Sequence, residues 1–297
     1  IYVMTVKKLI IDNDNSGRRL DNYLISIYSS VPKSKIYNII RKGEVRVNSS
    51  RVKPNYKIKT DDIVRIPPNL NVDKQLIKSI GIDLINKHSE EVLYENDDYI
   101  VINKKSGIAV HGGTKNIIGL IDIFREKYGK NIDLCHRIDK NTTGCLVFGK
   151  NKKAVKFFNN LLIDNNVKKT YQAVLKGKLK KNIVINKPIY KNIPTKSKNS
   201  ISKFKIIEHL NNATLVEVQI YTGRSHQIRI HAALINHPII FDNRYGDKDF
   251  NKSFDKNIRK KIALHSKSIS FINLDSEILN IECNPPNEFN NLVKMLK

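Results

Sequence analysis

The sequence predicts an α+β protein: a mixed, mainly antiparallel β-sheet unit with packed helices, preceded by a small N-terminal α/β module. Three observations carry this. Short strand-like runs bounded by turn residues fill the chain after residue 92, without the regular strand–helix alternation of a parallel sheet. Residues 12–68 hold two amphipathic helical patterns and several alternating runs, closed by Pro67-Pro68. Near the middle, a polar and charged stretch from His136 to Thr143 ends at Gly144 and passes into the apolar run Cys145-Leu146-Val147-Phe148, the order of a loop feeding a buried strand. A length of 297 residues suits two domains and a sizeable core.

In chain order, residues 1–11 read as a short strand or tail. Asn15 and Ser16 offer caps for a helix carrying Leu20, Leu24, Ile27 and Tyr28 at helical spacing. Pro32 separates it from a second helix, with Ser34 as its cap, Ile36, Ile39 and Ile40 on its apolar face, and Gly43 at its C-terminus. Val45 and Val47 alternate as a strand, and further strands are expected near Val52, Ile58 and 63–66. Residues 69–91 show no core period and read as a linker. The second unit, 92–297, begins with a hairpin at 92–94 and 99–103 around Asn96-Asp97-Asp98. Helices are expected over 116–127, 152–164 and 225–234, and at the C-terminus after Pro285-Pro286. Strands are expected over 169–175, 204–209, 214–220, 263–272 and 278–283, with Asn211-Asn212 as the turn of one hairpin.

Lys and Arg outnumber Asp and Glu by 53 to 28, a net charge of +25, the footprint of a polyanion binder. Lys, Asn and Ile also crowd the chain, as in an AT-biased genome, so composition supports nucleic acid without establishing it. No run reaches the roughly 18 apolar residues of a membrane span, and no secretory signal is visible. Cys135, Cys145 and Cys283 have no metal-ligand spacing and read as reduced thiols of a cytoplasmic protein. Ile1-Tyr2-Val3 precede Met4, the expected start.

The central stretch holds one carboxylate, Asp139, among His136, Arg137 and Lys140. Neighbouring cations keep a carboxylate ionised, available as nucleophile or base; a structural ion pair on a loop is the alternative. His226 and His231 stand five apart, not the four of a helical zinc pair, and no cysteine set accompanies them, so no metal is expected. Val110-His111-Gly112-Gly113 lacks the length and the Lys-Ser/Thr of a phosphate-binding loop.

His136-Arg137-Ile138-Asp139-Lys140-Asn141-Thr142-Thr143-Gly144 resembles the catalytic loop of the RluA-type pseudouridine synthases, with Ile138, Asn141 and Thr143 as mild departures. Lys169-Thr170-Tyr171-Gln172-Ala173 and Thr222-Gly223-Arg224-Ser225-His226-Gln227-Ile228-Arg229-Ile230-His231 match further blocks of that family in the same order. The segment from Phe241-Asp242-Asn243-Arg244-Tyr245 to Gly246-Asp247, after His237-Pro238, matches one branch of it. Residues 16–65 resemble the RNA-binding domain of the small-subunit ribosomal protein S-four. In Lys104-Lys105-Ser106-Gly107, Lys105 replaces a proline usual in the family, which implies a looser turn.

The resemblance implies isomerisation of uridine to pseudouridine in 23S rRNA, free or in a pre-50S particle, by a monomer with no cofactor and no membrane. The N1–C1′ bond breaks, the base turns, and C5 joins C1′. Asp139 would be the reacting carboxylate and Arg229 its partner. Tyr171 would stack on the flipped base or take the C5 proton, with a plain core tyrosine as the alternative. Arg137 would fill the gap left by the extruded uridine. His111 would line the substrate side, unless it belongs to an ordinary turn. Lys33, Lys35, Arg41, Lys42, Arg46 and Arg51 would contact RNA, a solvated basic face being the alternative. Action on tRNA and an inactive ribosome-assembly factor are the rival readings.

Overall fold

The computed structural model describes residues 6–13, 15–28, 31–68, 70, 91–112, 118–190, 197–258 and 261–297. Most of the expected linker, 69–91, lies outside the described residues. The chain divides into two compact units, 1–79 and 80–297.

In the first unit, strands β1 (Lys7–Ile10), β2 (Arg46–Val47) and β3 (Ile63–Ile66) form an antiparallel sheet in the order β1-β3-β2. The helices Leu20–Ile27 and Lys33–Lys42 bury Leu20, Leu24, Ile36 and Ile40 against Val45, Val47, Ile58 and Val64. Two expected caps are corrected. The first helix is entered through Arg19 without a side-chain cap, because the backbone N–H groups of Leu20 and Asp21 donate to the carbonyls of Tyr56 and Pro54. The second begins after Pro32, so Ser34 lies inside it; Gly43, at φ +73°, ends it as expected. The strands expected near Val52 and Ile58 are irregular segments; Ile58 exchanges backbone hydrogen bonds with Gly17 and Arg18. Lys33, Lys35, Arg41, Lys42 and Arg51 are exposed and Arg46 is half-buried.

The second unit is built on a ten-stranded sheet. Its main path is β4 (Glu91–Glu95), β5 (Tyr99–Lys104), β7 (Thr143–Gly149), β14 (Leu264–Ile272), β8 (Lys168–Lys176), β13 (Ala213–Ile220), β12 (Ile201–Leu210) and β9 (Ile183–Asn186). β6 (Asp133–Leu134) adds to β7 and β15 (Ile278–Glu282) to β14. A separate pair, β10 (Ile189–Tyr190) with β11 (Ser197–Lys198), was not foreseen; nor were β6, β9 and the short helix Lys248–Lys252. These are too short to show a period. The expected helix over 116–127 is observed as Leu120–Tyr128, with residues 113–117 outside the described ones.

All pairings in this sheet are antiparallel except one, β7 with β14, where Thr143 and Gly144 face His265 and Ser266. That junction receives the 136–144 loop. Gly144, at φ +105°, is required there: a Cβ would stand 2.2 Å from the carbonyl oxygen of Ser266. The helices Lys152–Ile163 and Asn287–Met295 bury Phe158 and Leu292. Cys145 and Cys283, unrelated in spacing, meet with their Sγ atoms 3.4 Å apart in a buried cluster.

Candidate active site

The 136–144 loop is held from two sides. Its start is pinned to β7 by the backbone N–H of Val147, which donates to Nε2 of His136 at 3.1 Å. Burial, with the charge of Lys169 nearby, pushes His136 down to about 3, so the ring is neutral and accepts. Its middle is held by the 104–108 turn. The ammonium of Lys104, wholly buried, donates to the carbonyls of Lys105, Ile108 and Lys140 at 2.7, 3.1 and 3.0 Å. The backbone N–H of Gly107 also reaches the carbonyl of Lys140, and the hydroxyl of Ser106 reaches that of Asn141. The looser turn expected from Lys105 is therefore tied directly to the loop bearing Asp139.

Asp139 lies on the wall of a cavity of about 270 Å³, shared with His111, Arg137, Asn141, His226, Arg229, Phe241 and Asn243. The helix Gln227–Leu234 brings Arg229 to it. Gln227, buried, fixes that helix by accepting from the hydroxyl of Thr222 and the N–H of Arg224, and by donating to the carbonyl of Ile201 and the hydroxyl of Ser202. His231 is bound to Ser202 and to the carbonyl of Lys187, a structural role. His226 precedes the helix at φ +58°, a left-handed conformation uncommon for a side-chain-bearing residue. That turn places its Nε2 3.8 Å from Oδ1 of Asp139.

Arg229 is clamped. Its Nη1 donates to Oδ2 of Asp139 at 3.0 Å, while Nε and Nη2 donate to the two oxygens of Asp242 at 2.7 and 2.8 Å. The Asp242 side chain is fully buried and also accepts from the backbone N–H groups of Arg244 and Tyr245. Burial alone would push the Asp242 carboxyl up; the Arg229 fork and the two backbone donors outweigh it and hold the carboxyl below its ordinary value. The same two carboxylates raise Arg229 against its burial, so it stays charged. The Tyr245 ring faces the guanidinium at 5.2 Å, and its hydroxyl bonds Nδ1 of His226 at 3.0 Å. Asp242 and Tyr245 fall in a segment from which no chemistry could be read, because a buried ion pair formed across the fold leaves no local spacing.

Arg137 and His111 stand exposed on the cavity wall, and the Arg137 guanidinium has no ion-pair partner among the described residues. The loop carrying His111 packs on Gly119, where a Cβ would lie 2.4 Å from the carbonyl carbon of His111. Tyr171 is not on the cavity wall. It is buried in β8 with its hydroxyl on Ser266, and burial, then the charge of Asp139, pushes the phenol up. Burial therefore favours the protonated phenol, which can donate a hydrogen bond. The six basic residues of residues 33–51 belong to the first unit, described above.

Two family models match: RNA pseudouridylate synthase over residues 98–234 and the S4 domain over residues 18–64. The chain is 40% identical over 281 residues to the ribosomal large subunit pseudouridine synthase C of Haemophilus influenzae, covering 90% of this chain and 87% of that one. To the protein of that name from Pasteurella multocida it is 38% identical over 280 residues, with 90% and 86% covered. Among solved structures, human RNA pseudouridylate synthase domain containing 4 shares the fold, with a TM-score of 0.61, 21% identity, and 72% and 95% of the two chains covered. Matched over most of its length by relatives at this identity, the chain belongs to the RNA pseudouridylate synthase family: it is a pseudouridine synthase, an isomerase with an N-terminal S4 domain.

Proposed function

We propose that this chain isomerises uridine to pseudouridine at several positions of 23S rRNA, with Asp139 as the reacting carboxylate. The observation that carries the reading is a cavity-wall carboxylate held 3.0 Å from a half-buried, permanently charged guanidinium. The relatives' naming for the large ribosomal subunit supports rRNA over tRNA. The uracil leaves C1′ through N1, turns in the cavity, and returns through C5; the C5 proton departs and N1 gains one. Attack on C1′ and removal of a sugar proton both need the ionised carboxylate, which Arg229 orients. Tyr171 lies off the cavity wall, so its stacking on the flipped base requires the nucleotide to reach past that wall towards β8. The target atoms are out of reach in a stacked helix, so the uridine is flipped out, and the exposed Arg137 guanidinium fills its place. His111 borders the entering nucleotide. The test is pseudouridine mapping of rRNA from cells with and without this protein: loss of the modification at defined 23S positions is expected, and unchanged 23S with altered tRNA would overturn the substrate.

The exposed cations of the S4 domain are assigned to RNA phosphates. Lys and Arg exceed Asp and Glu by 14 − 6 = +8 over residues 1–70. Replacing Lys33, Lys35, Arg41, Lys42 and Arg51 by Gln is expected to weaken RNA binding and flatten its log–log salt dependence by roughly 0.7–0.9 per lost contact. The single-turnover rate on saturating RNA should stay near that of the parent. An unchanged salt slope would remove these residues from the interface.

A further inference from the structure

We infer that Asp242 is the positioning residue of the reacting pair, setting Arg229, Tyr245 and His226 around Asp139. The inference rests on the reading of Asp139 as the reacting carboxylate. Asp242 does not touch the substrate cavity that Asp139 lines, and its side chain is wholly buried. It acts through what it holds.

Its first hold is on Arg229. A guanidinium bonded through one nitrogen can swing about that contact. Two parallel bonds, from Nε and Nη2 to Asp242 at 2.7 and 2.8 Å, fix its plane and leave Nη1 aimed at Asp139. The charge balance follows from the same geometry. Two carboxylates share one cation, so the cluster Asp242–Arg229–Asp139 carries a net −1. Asp242, with the shorter and doubled contact, takes the larger share of the guanidinium charge. Asp139 is thereby oriented without having its negative charge cancelled, as a nucleophile or base requires.

Its second hold is on the turn that follows. Oδ1 accepts from the N–H groups of Arg244 and Tyr245 at 2.9 and 3.1 Å. This closes the 242–245 turn and lays the Tyr245 ring against the Arg229 guanidinium. The Tyr245 hydroxyl then bonds His226 Nδ1, and the opposite ring nitrogen faces Asp139. Both flanks of Asp139, the guanidinium and the imidazole, thus trace back to one buried carboxylate. Phe241, immediately before it, is held at φ +61°, a strained conformation for an aromatic residue that its N–H secures by donating to Oδ1 of Asn251. The backbone is bent into an unfavourable region to deliver Asp242 to this place.

The test uses the full-length protein and large-subunit rRNA isolated from cells lacking it. Asp242→Asn keeps the shape and an oxygen for the turn but sets an amide N–H against the guanidinium. Asp242→Glu keeps the charge. Single-turnover rate at saturating RNA, RNA affinity and folded fraction by circular dichroism are measured at one temperature, with Asp139→Asn alongside. The expected result for Asp242→Asn is a fall of about 10²-fold in rate per folded molecule, the cost of a misplaced reacting group, with RNA affinity held within about twofold. Asp242→Glu should recover roughly tenfold of that loss. A rate per folded molecule within about threefold of the parent, beside an inactive Asp139→Asn, would overturn the positioning role and leave the proposed reaction standing. Loss confined to RNA affinity would overturn it too, as would failure of both Asp242 variants to fold, since the carboxylate would then serve the fold. Activity retained by Asp139→Asn would instead overturn the reaction itself.

Discussion

Replacing Asp139 with Asn is expected to reduce pseudouridine formation to background while leaving the fold and RNA binding in place. The amide has nearly the shape of the carboxylate, and its oxygen can still accept from Nη1 of Arg229. Arg229 does not become an orphan, because its other two donors stay on Asp242. Stability should therefore change little. What disappears is the negative charge, and an amide is too weak a nucleophile and base to replace it. If Asp139 were only a structural ion pair, the variant would lose activity in proportion to unfolded protein. Pseudouridine formation, RNA affinity and thermal melting on one sample separate the two. A folded, RNA-binding Asp139→Asn that turned over at more than about a hundredth of the parent rate would sink the assignment, since general acid–base help alone is worth ~10²–10⁴-fold.

Arg229→Met is expected to have the largest effect on stability, and to abolish turnover as well. The side chain is 14% exposed, and its partner Asp242 is 0% exposed. Methionine fills much of the space but strips the buried carboxylate of its fork, leaving only the N–H groups of Arg244 and Tyr245. Breaking a buried pair on one side costs about 3–5 kcal/mol, which for a unit of this size lowers the melting temperature by roughly 6–20 °C. The pH dependence has a definite sign. In the parent, Asp242 is held below its ordinary value, so its contribution to stability is present above the unfolded-state range and is lost as pH falls through the folded value. In the variant, burial acts without the guanidinium and raises the carboxyl, so the folded form takes up a proton and the penalty fades in acid. The melting-temperature difference should be large near neutral pH, begin to shrink as pH falls through the variant's raised carboxyl, and shrink further below about pH 4, where the parent loses its own contribution. A gap independent of pH would show that lost packing, not the orphaned carboxylate, causes it.

Much of the fold was legible because its elements are long or strongly periodic. The strands Ile201–Leu210 and Ala213–Ile220 were marked by the Asn211-Asn212 turn between them, and Lys152–Ile163 by Ala154, Phe157, Phe158 and Leu161, of which Ala154, Phe158 and Leu161 are buried. Where the reading failed, tertiary contacts had replaced a local signal. Asn15 and Ser16 were sound cap residues, but carbonyls from residues 54–56 already satisfied the first turn of that helix. Two- to five-residue elements such as Asp133–Leu134 and Lys248–Lys252 have too few residues to express a period.

The site divides in the same way. Local spacing marked the candidate residues and their motifs: Asp139 in its loop, Tyr171 on its strand, Arg229 on its helix. Local spacing carries that information, because a loop, a strand or a helix is built from neighbours. What faces what came from the packing of the whole unit. That packing brought residues 90 positions apart into a 3.0 Å ion pair, withdrew Tyr171 from the cavity wall, and placed the buried Asp242 behind Arg229. The reason is physical. A buried charge is tolerable only where the whole fold supplies its counter-charge and hydrogen bonds, and those partners come from whichever strands and helices the core packs together, not from the residues next in line.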